Sequence, residues 1–177
     1  MIRTYLLFTG FIATCQARIT PFFTSADDVQ IESINLRTVD DSHYTVPLLF
    51  GDPLQGDLAG AFIPYSMSNF TSVASKDCTS CATQYYDSSK SNSSDFPAET
   101  PSDYVTRQIG VVYQERGYIG TDKVCLPRSS ISDVCADDVE FLKVTDVRSR
   151  VARIDGLFGL APVDSKTGPS YVMQLYA

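Results

Sequence analysis

Short apolar stretches separated by turn-forming residues follow one another along most of the chain. Every second residue from Ile109 to Tyr113 is a large apolar or aromatic one, which is the period of a half-buried β-strand. No long stretch has the period of about 3.6 residues that marks an amphipathic helix. The predicted strands are residues 29–36, 44–50, 58–63, 106–113, 118–126 and 139–147.

Turn-forming residues lie between these strands. Residues 51–53 read Gly-Asp-Pro, residues 87–95 are rich in serine, and residues 97–101 begin and end with proline. Only residues 170–176 favour a short helix, with Ser170 as a candidate N-cap after a Gly-Pro pair. Short strands at this spacing, with one short C-terminal helix, predict a single all-β domain.

The charge of the chain excludes one class of partner. The 177 residues carry a formal net charge of −7, and 44% of them are hydrophobic, which is enough for a real core. The 14 Lys and Arg residues are scattered among acids and form no basic cluster that could neutralise phosphates. We therefore expect no nucleic-acid partner.

The N-terminal residues have the three parts of a secretory signal peptide. Arg3 provides the positive start, residues 5–15 form the apolar run, and small residues up to Ala17 offer a cleavage site. The alternative is a buried N-terminal strand or helix. We predict a signal peptide over residues 1–17 and a mature domain over residues 18–177. The apolar run is too short to span a bilayer, so we expect no membrane association after cleavage.

Removal of residues 1–17 leaves four of the five cysteines, an even number that suits an oxidising compartment. Three pairings are formally open. Proximity along the chain favours Cys78 with Cys81 and Cys125 with Cys135. The main alternative is a zinc site of four cysteines, which we do not expect in a secreted chain. We expect no metal and no cofactor.

Two glycosylation sequons agree with a secretory route. We expect this route to end outside the cell or in an acidic vacuole or lysosome. They begin at Asn69 (Asn-Phe-Thr) and Asn92 (Asn-Ser-Ser). Both asparagines are therefore candidate glycosylation sites.

Several short segments follow one another in a fixed order along the chain. They are 44–55 (YTVPLLFGDPLQ), 73–81 (VASKDCTSC), 85–94 (YYDSSKSNSS), 117–125 (GYIGTDKVC), 155–161 (DGLFGLA) and 170–175 (SYVMQL). Together they resemble the N-terminal lobe of the pepsin family of aspartic peptidases. In the same order, they resemble the opening strand and its turn, the stretch after the active-site loop with its short disulfide, a serine-rich segment, the strand that leaves the flap, the element packed behind the catalytic loop, and the following helix.

The resemblance implies a fold and an activity. The fold would be a single lobe of the pepsin-like β-barrel, and the family activity is aspartic-type endopeptidase proteolysis. That chemistry uses one aspartate from each of two lobes, each in an Asp-Thr-Gly loop, with one carboxylate activating water and the other group protonating the substrate carbonyl. This chain would provide one such lobe.

The aspartate loop is missing from the place where the resemblance requires it. Counting forward from the turn at Gly51 places the triplet at residues 62–64 (FIP), and counting backward from Val73 places it at residues 65–67 (YSM). Neither triplet contains an aspartate or a glycine. The nearest acid, Asp57, precedes both. We therefore assign no catalytic residue.

The flap also departs from the family pattern. The family's flap carries a tyrosine followed by a glycine-rich tip, and Tyr113 is the best candidate for a substrate-binding tyrosine. Residues 114–116, which should form the tip, lead directly into Gly117, so the tip looks shortened. The alternative for Tyr113 is an ordinary core aromatic.

These observations predict a secreted pseudo-enzyme of the pepsin fold that binds an extended peptide or protein or works with a second lobe or partner subunit. One alternative is an incomplete version of an active aspartic endopeptidase. Another is a cysteine-rich structural or zinc-binding secreted domain.

Overall fold

A computed structural model describes residues 37–40, 43–56, 60–83, 85–97, 99–109, 113–127, 133–149 and 154–161, and their regular secondary structure is almost all β-strand. Two short 3₁₀ turns, Ser88–Lys90 and Pro101–Asp103, are the helical elements of these residues. Their strands are β1 (Arg37–Asp40), β2 (His43–Thr45), β3 (Leu49–Phe50), β4 (Phe62–Tyr65), β5 (Ser72–Ala74), β6 (Val105–Ile109), β7 (Tyr113–Leu126), β8 (Val134–Ser149) and β9 (Gly156–Gly159).

The strands form two sheets. β1 and β2 pair in an antiparallel ribbon. The other seven form a sheet that curls into a half-barrel, in the order β3-β7-β8-β5-β9-β4, with β6 also paired to β7. β9 lies between two strands that precede it in the chain, parallel to β4 and antiparallel to β5. The prediction of an all-β domain is confirmed.

The two longest strands of this sheet, β7 and β8, pair with each other in antiparallel orientation. Burial alternates along the first part of β7, as the period of a half-buried strand requires. The register shifts between Arg116 and Gly117 and again between Asp122 and Val124, and such irregularities increase the local bend of a sheet.

An aromatic cluster fills the space enclosed by the curled sheet. The ring of Phe50 lies 5.0 Å from that of Phe141 and 5.5 Å from that of Phe62, measured between centroids, and Tyr86 lies 5.5 Å from Phe141. All four residues are fully buried. Each such pair contributes roughly 0.5–1.5 kcal/mol beyond the burial of its area.

A buried carboxylate ties the serine-rich segment to this core. Asp122 of β7 accepts hydrogen bonds from the hydroxyl groups of Tyr86 at 2.6 Å and Ser91 at 2.9 Å. Ser93 donates a further bond to the same carboxylate. The segment predicted as a surface loop is therefore anchored by its hydroxyl groups.

The structure corrects several strand predictions. Predicted strand 106–113 is two strands, because β6 ends at Ile109 and β7 begins at Tyr113 as its antiparallel partner. Predicted strand 44–50 is also divided, between β2 and β3. Strands β1, β5 and β9 were not predicted, because each has only three or four residues. β5 and β9 also depend on partners that are distant in sequence. Predicted strand 29–36, the signal peptide and the helix at 170–176 lie outside the described residues.

Four of the five cysteines form two disulfides, Cys78–Cys81 and Cys125–Cys135. This is the pairing favoured by proximity along the chain, and it replaces the alternative of one four-cysteine zinc site. The first disulfide closes the turn after β5, and the second joins facing residues of β7 and β8.

Candidate functional site

The loop between β4 and β5 is built against β9. The amide of Leu160 donates to the carbonyl of Tyr65 at 3.1 Å, and the amide of Ala161 donates to the carbonyl of Ser68 at 3.0 Å. A Cβ atom at Gly156 or Gly159 would collide with the backbone of this region, so glycine is required for the close approach. Segment 155–161 thus packs directly behind the loop.

The two triplets proposed from the sequence lie at different places in this structure. Residues 62–64 lie inside β4, whereas Tyr65 ends that strand and residues 66 and 67 form the turn that follows. The backward register, 65–67, therefore places its triplet at the loop.

The loop presents no acid. The side chain of Met67 is 82% exposed, and the hydroxyl of Tyr65 lies 4.0 Å from its sulfur. Ser66 between them is exposed. A phenol, a primary alcohol and a thioether provide no carboxylate that could activate water for attack on a peptide bond.

Tyr113 is the first residue of β7 and is 7% exposed. Its hydroxyl donates to Oε1 of Glu115 at 2.7 Å. The hairpin of β6 and β7 turns before Tyr113, so residues 114–116 belong to β7 and are not the tip that the sequence suggested. The proposed substrate-binding role of Tyr113 remains a prediction.

Glu115 is the centre of a buried polar cluster that sequence analysis missed. Its side chain is 1% exposed, and Oε1 accepts a second hydrogen bond, at 2.8 Å, from the hydroxyl of Ser72. Burial raises the pKa of Glu115 to about 7, although both hydrogen bonds oppose that rise. Burial likewise raises the pKa of Tyr113, and the Glu115 carboxylate beside it adds to the rise.

Tyr113 and Glu115 line a cavity of about 110 Å³ with a second buried acid, Asp155. Asp155 precedes β9 and is 6% exposed. Its Oδ2 accepts a bond from the amide of Ala61 at 2.7 Å, and its Oδ1 accepts one from the hydroxyl of Thr83. The other lining residues are Ala74, Ser80, Cys81, Ala82, Val144, Val147 and Ile154.

A carboxyl group with a pKa near 7 can hold or release its proton at neutral pH. The carboxyl group of Glu115 is buried, and the hydroxyl groups of Tyr113 and Ser72 both donate to its Oε1. The only sequence signal for it was a glutamate at an inward position of the alternating pattern of β7.

The remaining predicted site residues lie apart from the cavity, except for Cys81, which lines it. Asn69 is buried, with 5% exposure, and Asn92 is exposed. Within the described ranges, no three His, Cys, Asp or Glu side chains gather as a metal site. The helices of these ranges include none long and apolar enough to cross a membrane.

No protein-family model matches this chain, and a search of curated proteins finds no significant match.

Proposed function

We propose that this chain is a secreted, non-catalytic lobe of the pepsin fold that binds an extended peptide or protein segment. The single observation that carries the proposal is the loop at residues 65–67, the triplet at which the resemblance, counted backward from Val73, expects the family's aspartate. Segment 155–161, which contains β9, packs against this loop and supports the proposal. The ordered series of family-like segments supports the same assignment.

Loss of catalysis follows from the side chains of this loop. Tyr65 occupies the position of the aspartate, and Met67 occupies that of the glycine. The general base of the family mechanism is therefore missing from this lobe. Glu115 does not replace it, because its carboxyl group is enclosed and bonded to the hydroxyl groups of Tyr113 and Ser72.

An exposed strand edge supports peptide binding. Among the described residues, β6 pairs with β7 along one side and with no strand along the other. An extended peptide can add to such an edge through main-chain hydrogen bonds, while alternate side chains give specificity. The exposed side chains of Thr106 and Gln108 flank the half-buried side chain of Arg107 on β6.

Inactivity is tested by incubating the secreted, disulfide-bonded protein with an unfolded protein substrate between pH 3 and pH 7. We expect no cleavage above a blank, analysed by mass spectrometry. Cleavage that is blocked by a pepstatin-type inhibitor would refute the non-catalytic assignment.

Peptide binding is tested separately, with a library of extended peptides and amide chemical shifts as the readout. We expect the largest shifts on β6 and on the first half of β7. Binding that leaves β6 unperturbed would contradict the strand-edge proposal. The absence of any bound peptide would contradict the binding function itself.

A further inference from the structure

The cavity described above is lined by two buried acids, and the described residues that line it include no cationic side chain. Neither Glu115 nor Asp155 forms a salt bridge with any described residue, and no Lys or Arg is among the residues that line the cavity. Buried carboxyl groups are usually paired with a cation. Within the part of the chain that the structure describes, neither acid is therefore paired with a cation.

The nearest arginines on the same strands do not supply that charge. Arg107 is the Cα partner of Glu115 across β6 and β7, but its guanidinium lies over the ring of Phe70, 4.8 Å from the centroid. Arg116 follows Glu115 in β7 and lies 3.8 Å from Asp146. The guanidinium groups of both arginines therefore lie against groups other than Glu115 and Asp155.

The walls and size of the cavity restrict the ligand further. Ala74, Val144 and Val147 provide an apolar surface beside the two acids. The volume of about 110 Å³ is below the roughly 150 Å³ of a cavity known to hold benzene, which favours an unbranched chain over an aromatic ring. An ammonium group offers three N–H donors for carboxylate oxygens.

We propose that this cavity binds a primary alkylammonium group, the chemistry shared by a lysine side chain and a small free amine. The ammonium lies between Glu115 and Asp155, and the alkyl stem contacts the apolar wall. The lysine form of this ligand rests on the peptide-binding function proposed above, whereas the free-amine form does not.

Binding is coupled to the proton on Glu115. An arriving cation favours the ionised carboxylate, so the ligand displaces the proton and affinity rises as the pH rises through neutrality. Among the described residues, the charged or titratable groups that face Glu115 are Tyr113 on its own strand, Arg107 on β6 and Asp155 before β9.

The first experiment titrates n-butylammonium chloride into the disulfide-bonded full chain at pH 8 by calorimetry. We expect saturable binding at one site, at least about tenfold weaker at pH 5. The control probe is n-butyltrimethylammonium, which has the same charge and chain but no N–H donor. We expect it to bind at least about tenfold more weakly than the primary amine.

The second experiment compares variants. Glu115→Gln should weaken n-butylammonium binding at least about tenfold, and the matched charge control Asp137→Asn, an exposed acid outside the cavity, should leave it unchanged. Ala82 is an exposed residue that lines the cavity, so Ala82→Leu should narrow the cavity opening without changing its charge and should abolish binding. This variant keeps the test valid if Glu115→Gln does not fold. Absence of saturable binding to the unmodified chain overturns the proposal. Equal affinity of a folded Glu115→Gln variant, or of the quaternary amine, also overturns it.

A peptide pair separates the two sources of the ligand. One peptide contains lysine, and its partner carries norleucine at the same position. Preference for the lysine peptide supports both this inference and the peptide-binding function. Binding of n-butylammonium without binding of either peptide supports the cavity inference and contradicts the peptide-binding function.

Discussion

Glu115 places a carboxyl group on the inward face of β7, between Tyr113 and Gly117 on the same face. Hydrogen bonds from two hydroxyl groups favour the ionised form of its carboxyl group. Burial disfavours that form more strongly and raises the pKa of Glu115 to about 7. A carboxyl group in an unfolded chain titrates near 4.3. The folded protein therefore holds the proton of Glu115 more tightly than the unfolded chain does, and this difference makes stability depend on pH.

The sign of this dependence follows from the raised pKa. The contribution of Glu115 to stability is fully present below about pH 4 and is lost as the pH rises through about 7, to a total of roughly 3–4 kcal/mol. We expect Glu115→Gln to remove most of this loss between pH 5 and pH 8, because glutamine does not titrate. Urea unfolding at several pH values measures it, with Asp137→Asn as control. Parallel pH profiles for the Gln variant and the unmodified chain would contradict the assignment.

At the scale of elements, hydroxyl groups and glycines hold the loops against the sheet. Asp122 of β7 binds the serine-rich segment through Ser91 and Ser93, and it also binds the hydroxyl of the buried Tyr86. Gly156 of β9 allows its backbone to approach that of Ser72 in β5. Each contact joins segments that are distant in the chain.

We expect Asp122→Ala to destabilise the fold by about 2–4 kcal/mol, because three hydroxyl donors lose a charged acceptor and at least one of them is fully buried. Hydrogen exchange should rise in residues 88–95. The control Asp137→Ala removes an exposed acid and should change the free energy of unfolding by less than about 0.5 kcal/mol. Equal effects of the two variants would argue against the anchoring role of Asp122.

We expect Gly156→Ala to cost about 1–3 kcal/mol, because the added methyl group would collide with the carbonyl oxygen of Ser72 and separate β9 from β5. Ser66→Ala, at an exposed position of the loop, should be nearly neutral. Denaturant unfolding compares the two. A Gly156→Ala protein as stable as the unmodified chain would show that the backbone moves apart without penalty.

At the scale of the whole molecule, the two disulfides and the net charge of −7 are compatible with a secreted chain. The two sequons differ in their surroundings. A glycan on Asn92 would extend into solvent, whereas one on Asn69 would disturb the packing beneath the loop of residues 65–71.

We therefore expect a single N-glycan, on Asn92, when the full chain is expressed in a secreting eukaryotic cell. Asn92→Gln should abolish the mobility shift produced by deglycosylation, and Asn69→Gln should leave that shift unchanged. Site-resolved mass spectrometry identifies the occupied asparagine. A glycan on Asn69 of the folded, secreted protein would contradict this expectation.

Sequence pattern identified the class of fold and the approximate places of β7 and β8, because alternation over many residues is a strong local signal. It failed at β6 and β7, because the alternation of large residues from Ile109 to Tyr113 predicted one strand where the structure has two antiparallel strands. It also missed β5 and β9, since strands of three or four residues are stabilised by their partners rather than by their own composition.

The sequence by itself determined what is local or compositional: the all-β pattern, the favoured cysteine pairs, and the lack of an aspartate from residue 58 to residue 76. Only the tertiary structure decided which triplet lies at the loop and that Glu115 and Asp155 line one cavity. The physical reason is that strand register and burial depend on contacts between residues far apart in the chain. Local periodicity in the sequence contains no information about those contacts.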